Sequence, residues 1–208
     1  MYKDLNWLCE RAILAPKNDI VNIINDHVMK QLPEQVMTYK SVDSALDPDQ
    51  AVQYPTEFLN TLNPAGLQPH CLMLKVGCPI ILIRNLDAPR LCNGTRLSVK
   101  RFSQCVIEAT VMTGCGKGET VFIPRIPIIS ADMVEFKRLQ FPVKPSFAMT
   151  VNKSQGQSLK LAGIHLELPC FSHEQLYVVC SRVGAAENLY ILAPGGKTIN
   201  VVYPEALK

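Results

Sequence analysis

The sequence lacks any apolar run approaching the roughly 20 residues needed to cross a bilayer, so a membrane-spanning helix is not expected. Met1 to Glu10 carries Asp4 and Glu10 and no apolar stretch of signal-peptide length, so no secretory signal is expected either. Eight cysteines include no C-x-x-C pair, which argues against a zinc site or a small disulfide scaffold. Several of them, such as Cys180 in Tyr-Val-Val-Cys, sit in apolar runs. They read as reduced, mostly buried thiols of an intracellular protein. Charged residues make up only 19% and aromatics 7%. The net charge of +3 does not by itself argue for nucleic acid. What is present is 48% hydrophobic residues over 208 positions, enough for a real core in one large domain or two small ones. Basic residues cluster locally at Lys100–Arg101, Lys137–Arg138, Lys144, Lys153 and Lys160. On charge alone these are equally a solvated surface.

The patterning predicts an α/β unit interrupted by β structure. Arg11-Ala-Ile-Leu-Ala15 is a short apolar run stopped by Pro16 and reads as a buried strand. Asn18 can cap a following helix whose Ile20, Val21, Ile23, Ile24 and Val28 recur at helical spacing, with Pro33 limiting its far end. From Ser41 to Pro69, Pro48, Pro55, Pro64 and Pro69 punctuate a long connecting segment in which only Thr56 to Leu62 looks helical. Between Cys71 and Ile129 short strands are expected at 72–75, 80–83, 95–102, 106–112 and 120–123, separated by the Asn93-Gly94 turn and the glycines at 114, 116 and 118. That is the pattern of a small barrel. After Phe141 strands are expected at 146–151, 163–168 and 189–192. A helix should precede the last of these, opened by a capping box of Ser172 and Gln175 and striped by Leu176, Val179, Cys180 and Val183.

Two segments carry candidate chemistry. In Thr150-Val-Asn-Lys-Ser-Gln-Gly-Gln157 a strand gives way to a polar, glycine-bearing turn. At the carboxyl edge of a parallel sheet such a turn presents N–H groups and hydroxyls to phosphate, although Ser-Gln-Gly is also an ordinary turn. In Gln175-Leu-Tyr-Val-Val-Cys-Ser-Arg182-Val, Gln175 and Arg182 are seven apart and expected near one helix face. Arg182 is either a surface arginine paired with Glu174 or one that reaches a triphosphate held by a neighbouring domain.

Taken together and in this order, the two segments resemble motifs V and VI of superfamily 1B DNA helicases of the petite-integration-frequency type. Arg11-Ala-Ile-Leu-Ala-Pro-Lys-Asn18 resembles motif IV of the same group. Leu74-Lys-Val-Gly-Cys-Pro-Ile-Ile-Leu-Ile-Arg-Asn85 and Leu91-Cys-Asn-Gly-Thr-Arg96 look like the entry to its 2B barrel. The Helitron-transposon branch is similar across nearly the whole chain, through Thr113-Gly-Cys-Gly-Lys-Gly-Glu119, Phe122-Ile-Pro-Arg-Ile-Pro127, Phe136-Lys-Arg-Leu-Gln-Phe-Pro142 and Val201-Val-Tyr-Pro-Glu205.

The resemblance implies an α/β fold: a RecA-like second motor domain, partial and with a mostly parallel sheet, interrupted by a small SH3-like β-barrel (2B). Its parts are residues 1–40 as the first strand–helix unit of domain 2A, 41–70 as a connecting segment, 71–135 as the 2B insertion, and 136–208 as the remainder of 2A. It implies that Arg182 is the arginine finger, that Gln155 and Gly156 stand with it at the nucleotide cleft, and that Thr150, Asn152, Lys153 and Ser154 couple that cleft to single-stranded DNA. Asn152 departs from a histidine common in related helicases. Family members move 5′ to 3′ on single-stranded DNA. Work on DNA implies the nucleus, although the Lys and Arg pairs are too short for an import signal.

ATP hydrolysis needs a phosphate-cradling loop with its lysine and carboxylates near Mg²⁺. Gly196-Lys197-Thr198 fails the spacing, because Ile191 stands where the first glycine belongs. No Asp-Glu pair follows an apolar strand. The expectation is therefore a C-terminal fragment that binds ATP and Mg²⁺ only in a complete two-domain enzyme, with an N-terminal RecA-like domain and single-stranded DNA as partners. The alternatives are a non-catalytic single-stranded DNA-binding module, for which aromatic interleaving is sparse, and an inactive transposon remnant with an exposed apolar cleft side.

Overall fold

The structure is a computed structural model that describes residues 4–47, 53–64, 66–130 and 134–207; Met1 and Pro48 lie outside them. In chain order its elements are α1 (Leu5–Cys9), β1 (Arg11–Ala15), α2 (Asn18–Gln31), β2 (Met37–Lys40), β3 (Val42–Ala45), α3 (Thr56–Thr61), β4 (Cys71–Leu74), β5 (Pro79–Leu82) and β6 (Arg96–Phe102). They continue as β7 (Val106–Val111), β8 (Thr120–Pro124), β9 (Ile126–Ile129), β10 (Phe136–Gln140), β11 (Val143–Pro145), β12 (Ala148–Thr150), β13 (Leu161–His165), α4 (Gln175–Cys180) and β14 (Leu189–Leu192). The chain divides into two compact units, one formed by the segments up to Leu32 and from Ser146 onward, the other by Pro33–Pro145.

The first unit is built on a four-stranded, wholly parallel sheet in the order β12-β1-β13-β14. β1 alternates between its two faces, as a strand must. Ala12 and Leu14 join Met149, Ala162, Ile164 and Val179 in one core cluster, which α4 covers through Leu176 and Cys180. Ala15 packs on the other face with Val21 and Ala148, and Ile13, Ile20 and Ile24 lie against them. The stripe that α2 buries is Val21, Asn25 and Met29, whereas Ile23 is 64% exposed. The amide of Asn25 accepts from Ala148 N at 2.8 Å and donates to Ala148 O at 3.0 Å. The helix thereby closes the open edge of β12.

Two helix starts differ from expectation. Lys17, with no side-chain cap bond, is the N-cap of α2, and Asn18 is already helical. The capping box at Ser172 does not form. Glu174, at φ 52°, precedes the first residue of α4, and Gln175 turns its Oε1 inward to accept from Phe171 N at 3.1 Å. The strand expected from 146 to 151 is only three residues long. β14 is the other edge strand, and Tyr190, Ile191 and Leu192 on it are half-exposed or more.

The second unit is all-antiparallel apart from α3. Its sheets are β11-β5-β6-β7-β8, β3-β10-β9 and β2-β4. The strands expected between 72 and 123 are present within a residue or two. The boundaries differ from the expected 41–70 connector and the start of the α/β remainder at 136. Residues 41–70 contribute β3 and α3 to this unit, and β10 and β11 also belong to it. The reason is Arg138 on β10, which is fully buried. Its Nε and Nη2 bond Asp43 of β3 at 2.6–3.1 Å, and its remaining N–H groups reach Leu59 O, Leu62 O and Gln68 O at 2.9–3.1 Å. One side chain thus ties the proline-punctuated segment to the sheet. Gln140, also buried, donates to Tyr39 O and His70 O.

Candidate functional site

β12 ends at Thr150, and one turn of 3₁₀ helix, Val151–Ser154, follows. Ser154 to Gln157 then form a type II β-turn. Gln155 sits at φ −59°, ψ 131°, Gly156 at φ 78°, and Gln157 N donates to Ser154 O at 3.0 Å. The turn needs a glycine at its third position, because a Cβ there disfavours positive φ. Gln157 Nε2 donates to Lys153 O at 3.1 Å and braces the turn from behind. Residues 151–160 carry the chain back from the carboxyl edge of the sheet. Leu159 N donates to Arg182 O and Lys160 N to Glu10 O, beside the amino ends of β13 and β1. The turn therefore leaves the carboxyl edge where the sequence pattern placed it, because β12 and β13 are parallel and the connection has to return.

Arg182 lies just past α4 and its C-cap, Ser181. Gln175 faces the core, so the two residues do not share an outward face; the helix is too short to carry both. The guanidinium folds back along the helix. Nε donates to Val178 O at 2.8 Å, Nη2 to Ser181 Oγ at 2.8 Å, and Nη1 to Ser154 O at 3.4 Å. The carbonyl that closes the β-turn is thus the one on which Arg182 rests. Three of the five guanidinium N–H groups are engaged, all by neutral oxygens. Among the described residues no carboxylate lies within ion-pair distance of Arg182, and Glu174 stands 3.9 Å from His173 instead.

The four residues expected along a DNA strand differ in presentation. Asn152 is exposed, and Thr150 and Lys153 are half-buried. Ser154 is fully buried, with its hydroxyl donated to Val151 O at 2.7 Å. It holds the turn and does not present its side chain to a strand. Gln155 and Gly156 are exposed at the tip. Sequence reasoning missed Gln157 and the Ser154 carbonyl, and neither has a residue-type signal.

The basic clusters are largely neutralised. Arg138 is buried against Asp43, Lys100 and Arg101 face Glu108 at 3.3 and 3.9 Å, and Lys160 reaches Glu10 at 2.6 Å. Among the described residues no group of three or more His, Cys, Asp or Glu side chains could hold a metal ion, and no helix is long and apolar enough to cross a membrane.

Residues 57–102 match the family described as DNA helicase Pif1, 2B domain. The chain is 31% identical to the ATP-dependent DNA helicase PIF1 of Danio rerio over 201 residues, which is 92% of this chain and 29% of that protein. It is 29% identical to the Homo sapiens protein of the same name over 181 residues, 86% of this chain and 26% of that one. The chain therefore spans less than a third of these relatives' length. Among solved structures, Pif1 helicase from Candida albicans superposes with a TM-score of 0.70 at 22% identity, covering 99% of this chain and 52% of that one. Bacteroides Pif1 bound to single-stranded DNA gives 0.67 at 21%, covering 98% and 47%. These two likenesses establish the shared fold of parallel-sheet unit and β insertion. The sequence similarity thus takes in most of this chain and is to proteins named as Pif1-type ATP-dependent DNA helicases, with the 2B-domain match falling in the second unit.

Proposed function

We propose that this chain provides the second motor domain and 2B insertion of a 5′-to-3′ ATP-dependent DNA helicase, of the Helitron-like branch and acting in the nucleus. Arg182 serves there as the arginine finger. The observation that supports this reading is a guanidinium docked on the Ser154 carbonyl through neutral partners only, with two N–H groups uncommitted. An arginine held in place whose charge is not matched internally is suited to an anion arriving from outside. Bound ATP with Mg²⁺ supplies the phosphoryl group, and the residues here fit its γ-phosphate end and not the metal. Gln155 and Gly156 line the cleft beside the guanidinium. Thr150, Asn152 and Lys153 contact single-stranded DNA, and Ser154 positions the turn between the two. Strand contact and cleft are then joined through one short piece of backbone, so a shift of residues 150–153 moves the carbonyl under Arg182.

The chain alone, with single-stranded DNA, ATP and Mg²⁺, is expected to release no more phosphate than its Arg182→Ala variant, because its sequence contains no phosphate loop. The decisive measurement uses a complete Pif1 helicase in which this chain replaces the corresponding segment. Arg182→Ala should lower DNA-stimulated ATPase by roughly 10³–10⁵ while single-stranded DNA binding persists. Unchanged turnover would exclude the assignment.

A further inference from the structure

Two loops of the second unit, at residues 83–95 and 112–119, close on one another. Arg90 bonds Asp87 at 2.7 Å and Glu119 at 3.2 Å, joining one loop to the next. The approach is tight enough that a Cβ on Gly116 would stand 2.8 Å from the Arg90 Cγ. At this contact the thiols of Cys92 and Cys115 both donate to a single carbonyl, Pro89 O, at 3.5 and 3.6 Å. Two sulfurs that share an acceptor at those distances are no more than about 7 Å apart. Cys115 is exposed and Cys92 half-buried, so both meet solvent. Bond formation asks the two sulfurs to close from that separation to about 2.05 Å.

The other cysteines differ in ways that matter. Cys78 is buried, and burial pushes its thiol up to about 12. Cys170 and Cys180 are also near neighbours, but burial in the core of the first unit raises both thiols above the ordinary value. Since the thiolate is the reactive form, burial works against oxidation of that pair. Cys71 and Cys105 are exposed, and no bond to another cysteine is described for either.

We infer that Cys92 and Cys115 form a reversible redox clasp that fastens the two loops when the protein meets a peroxide. In the first step one thiolate attacks the peroxide O–O bond, giving a sulfenic acid and, after protonation of the leaving hydroxide, water. In the second the other thiol attacks the sulfenic sulfur, the S–O bond breaks, water leaves, and the S–S bond forms. The two electrons lost by the sulfurs are those gained by hydrogen peroxide, and a dithiol reductant returns both thiols. The inference does not depend on the role given to Arg182.

The test uses the full chain, reduced, freed of reductant and exposed to a small excess of hydrogen peroxide. Remaining thiols are alkylated and the protein is digested without reduction for mass spectrometry. The expected result is loss of two of the eight thiols, an intramolecular link between the Cys92 peptide and Cys115, and its reversal by dithiothreitol. Cys105 falls on the same tryptic peptide as Cys115, so variants assign the bond: Cys115→Ser and Cys92→Ser should each abolish the link, and Cys105→Ser should leave it. Recovery of Cys92 and Cys115 both alkylated, a link that depends on Cys105, or equal linking in urea-unfolded chain would overturn the proposal.

Discussion

Replacing Asp43 with asparagine tests whether Arg138 organises the second unit as its bonds suggest. Both side chains are 0% exposed. In Asp43→Asn the guanidinium keeps its three carbonyls but loses its counter-charge, and breaking a buried pair in this way costs about 3–5 kcal/mol. Arg138→Met is worse. It leaves the Asp43 carboxylate with Ser41 Oγ at 2.7 Å as its remaining described donor, and it strips Leu62 O and Gln68 O of their described partner, whereas Leu59 O keeps the N–H of Leu62 at 3.1 Å. Each orphaned carbonyl adds about 1–3 kcal/mol, and the total approaches the roughly 5–15 kcal/mol by which a domain is stable. The double variant removes the unpaired charge but not the unpaired carbonyls. It should therefore be more stable than Arg138→Met alone, yet at least about 2 kcal/mol below wild type. The single tryptophan, Trp7, lies in the first unit, so fluorescence reports the wrong part. Hydrogen exchange at the paired residues Leu139 and Val42 is the suitable probe, read against urea. If Asp43→Asn shifts stability by less than about 1 kcal/mol, or if the double variant loses the full sum of the singles, the reasoning fails.

Three further outcomes are expected. Gly156→Ala forces a side chain onto φ 78° with nothing within 4 Å to clash, so the penalty is conformational, about 1–2 kcal/mol; Gly184→Ala, also in open space but without positive φ, should be close to neutral in the same thermal melts. Asn25→Ala leaves both polar groups of Ala148 without the amide that closes them and should cost roughly 2–5 kcal/mol; Asn25→Asp, which retains an acceptor for Ala148 N, should lose the donor to Ala148 O only, and amide exchange at Ala148 separates the two. Burial raises the Cys78 thiol from 9.0 to about 12, so its contribution to stability is fully present below pH 9 and is lost as pH climbs toward 12. The urea midpoint of wild type should therefore fall more steeply over that range than that of Cys78→Ala, and parallel curves would contradict this.

The parts of the fold that were legible are those in which burial follows hydrophobicity. β1, β5 to β8, β13 and β14 announce themselves through apolar runs or alternation, and Gly156 marks its turn. β10 was not legible because its pattern is inverted. Phe136, Arg138 and Gln140 point inward while Lys137 is exposed and Leu139 only half-buried. β3, Val-Asp-Ser-Ala, buries Asp43 and exposes Val42 to 60%. Hydrophobic patterning discards such strands, and with them went the boundaries of the insertion. The buried stripe of α2 likewise passes through Asn25 and leaves Ile23 outside. At the candidate site the glycine turn was legible, but its placement was not. Which edge of the sheet the turn reaches depends on a parallel return from β12 to β13, and local sequence does not state it.

The chemistry of their partners separates the two arginines that matter most in this chain. Arg138 and Arg182 both bond backbone carbonyls, and neither sequence context distinguishes them. Arg138 commits every N–H it has and meets a carboxylate at 2.6 Å, so its charge is consumed inside the fold. Nothing is left for a ligand, and its removal is felt as lost stability. Arg182 meets neutral oxygens only, retains two donors and stays half-exposed. Those bonds fix its direction without cancelling its charge. Arg182→Ala should therefore leave hydrogen exchange of β13 and β14 within roughly 1 kcal/mol of wild type, while phosphate turnover in the complete enzyme collapses. An Arg182→Ala chain that unfolds like Arg138→Met would show that its guanidinium holds the fold, and the site would then have to be sought elsewhere.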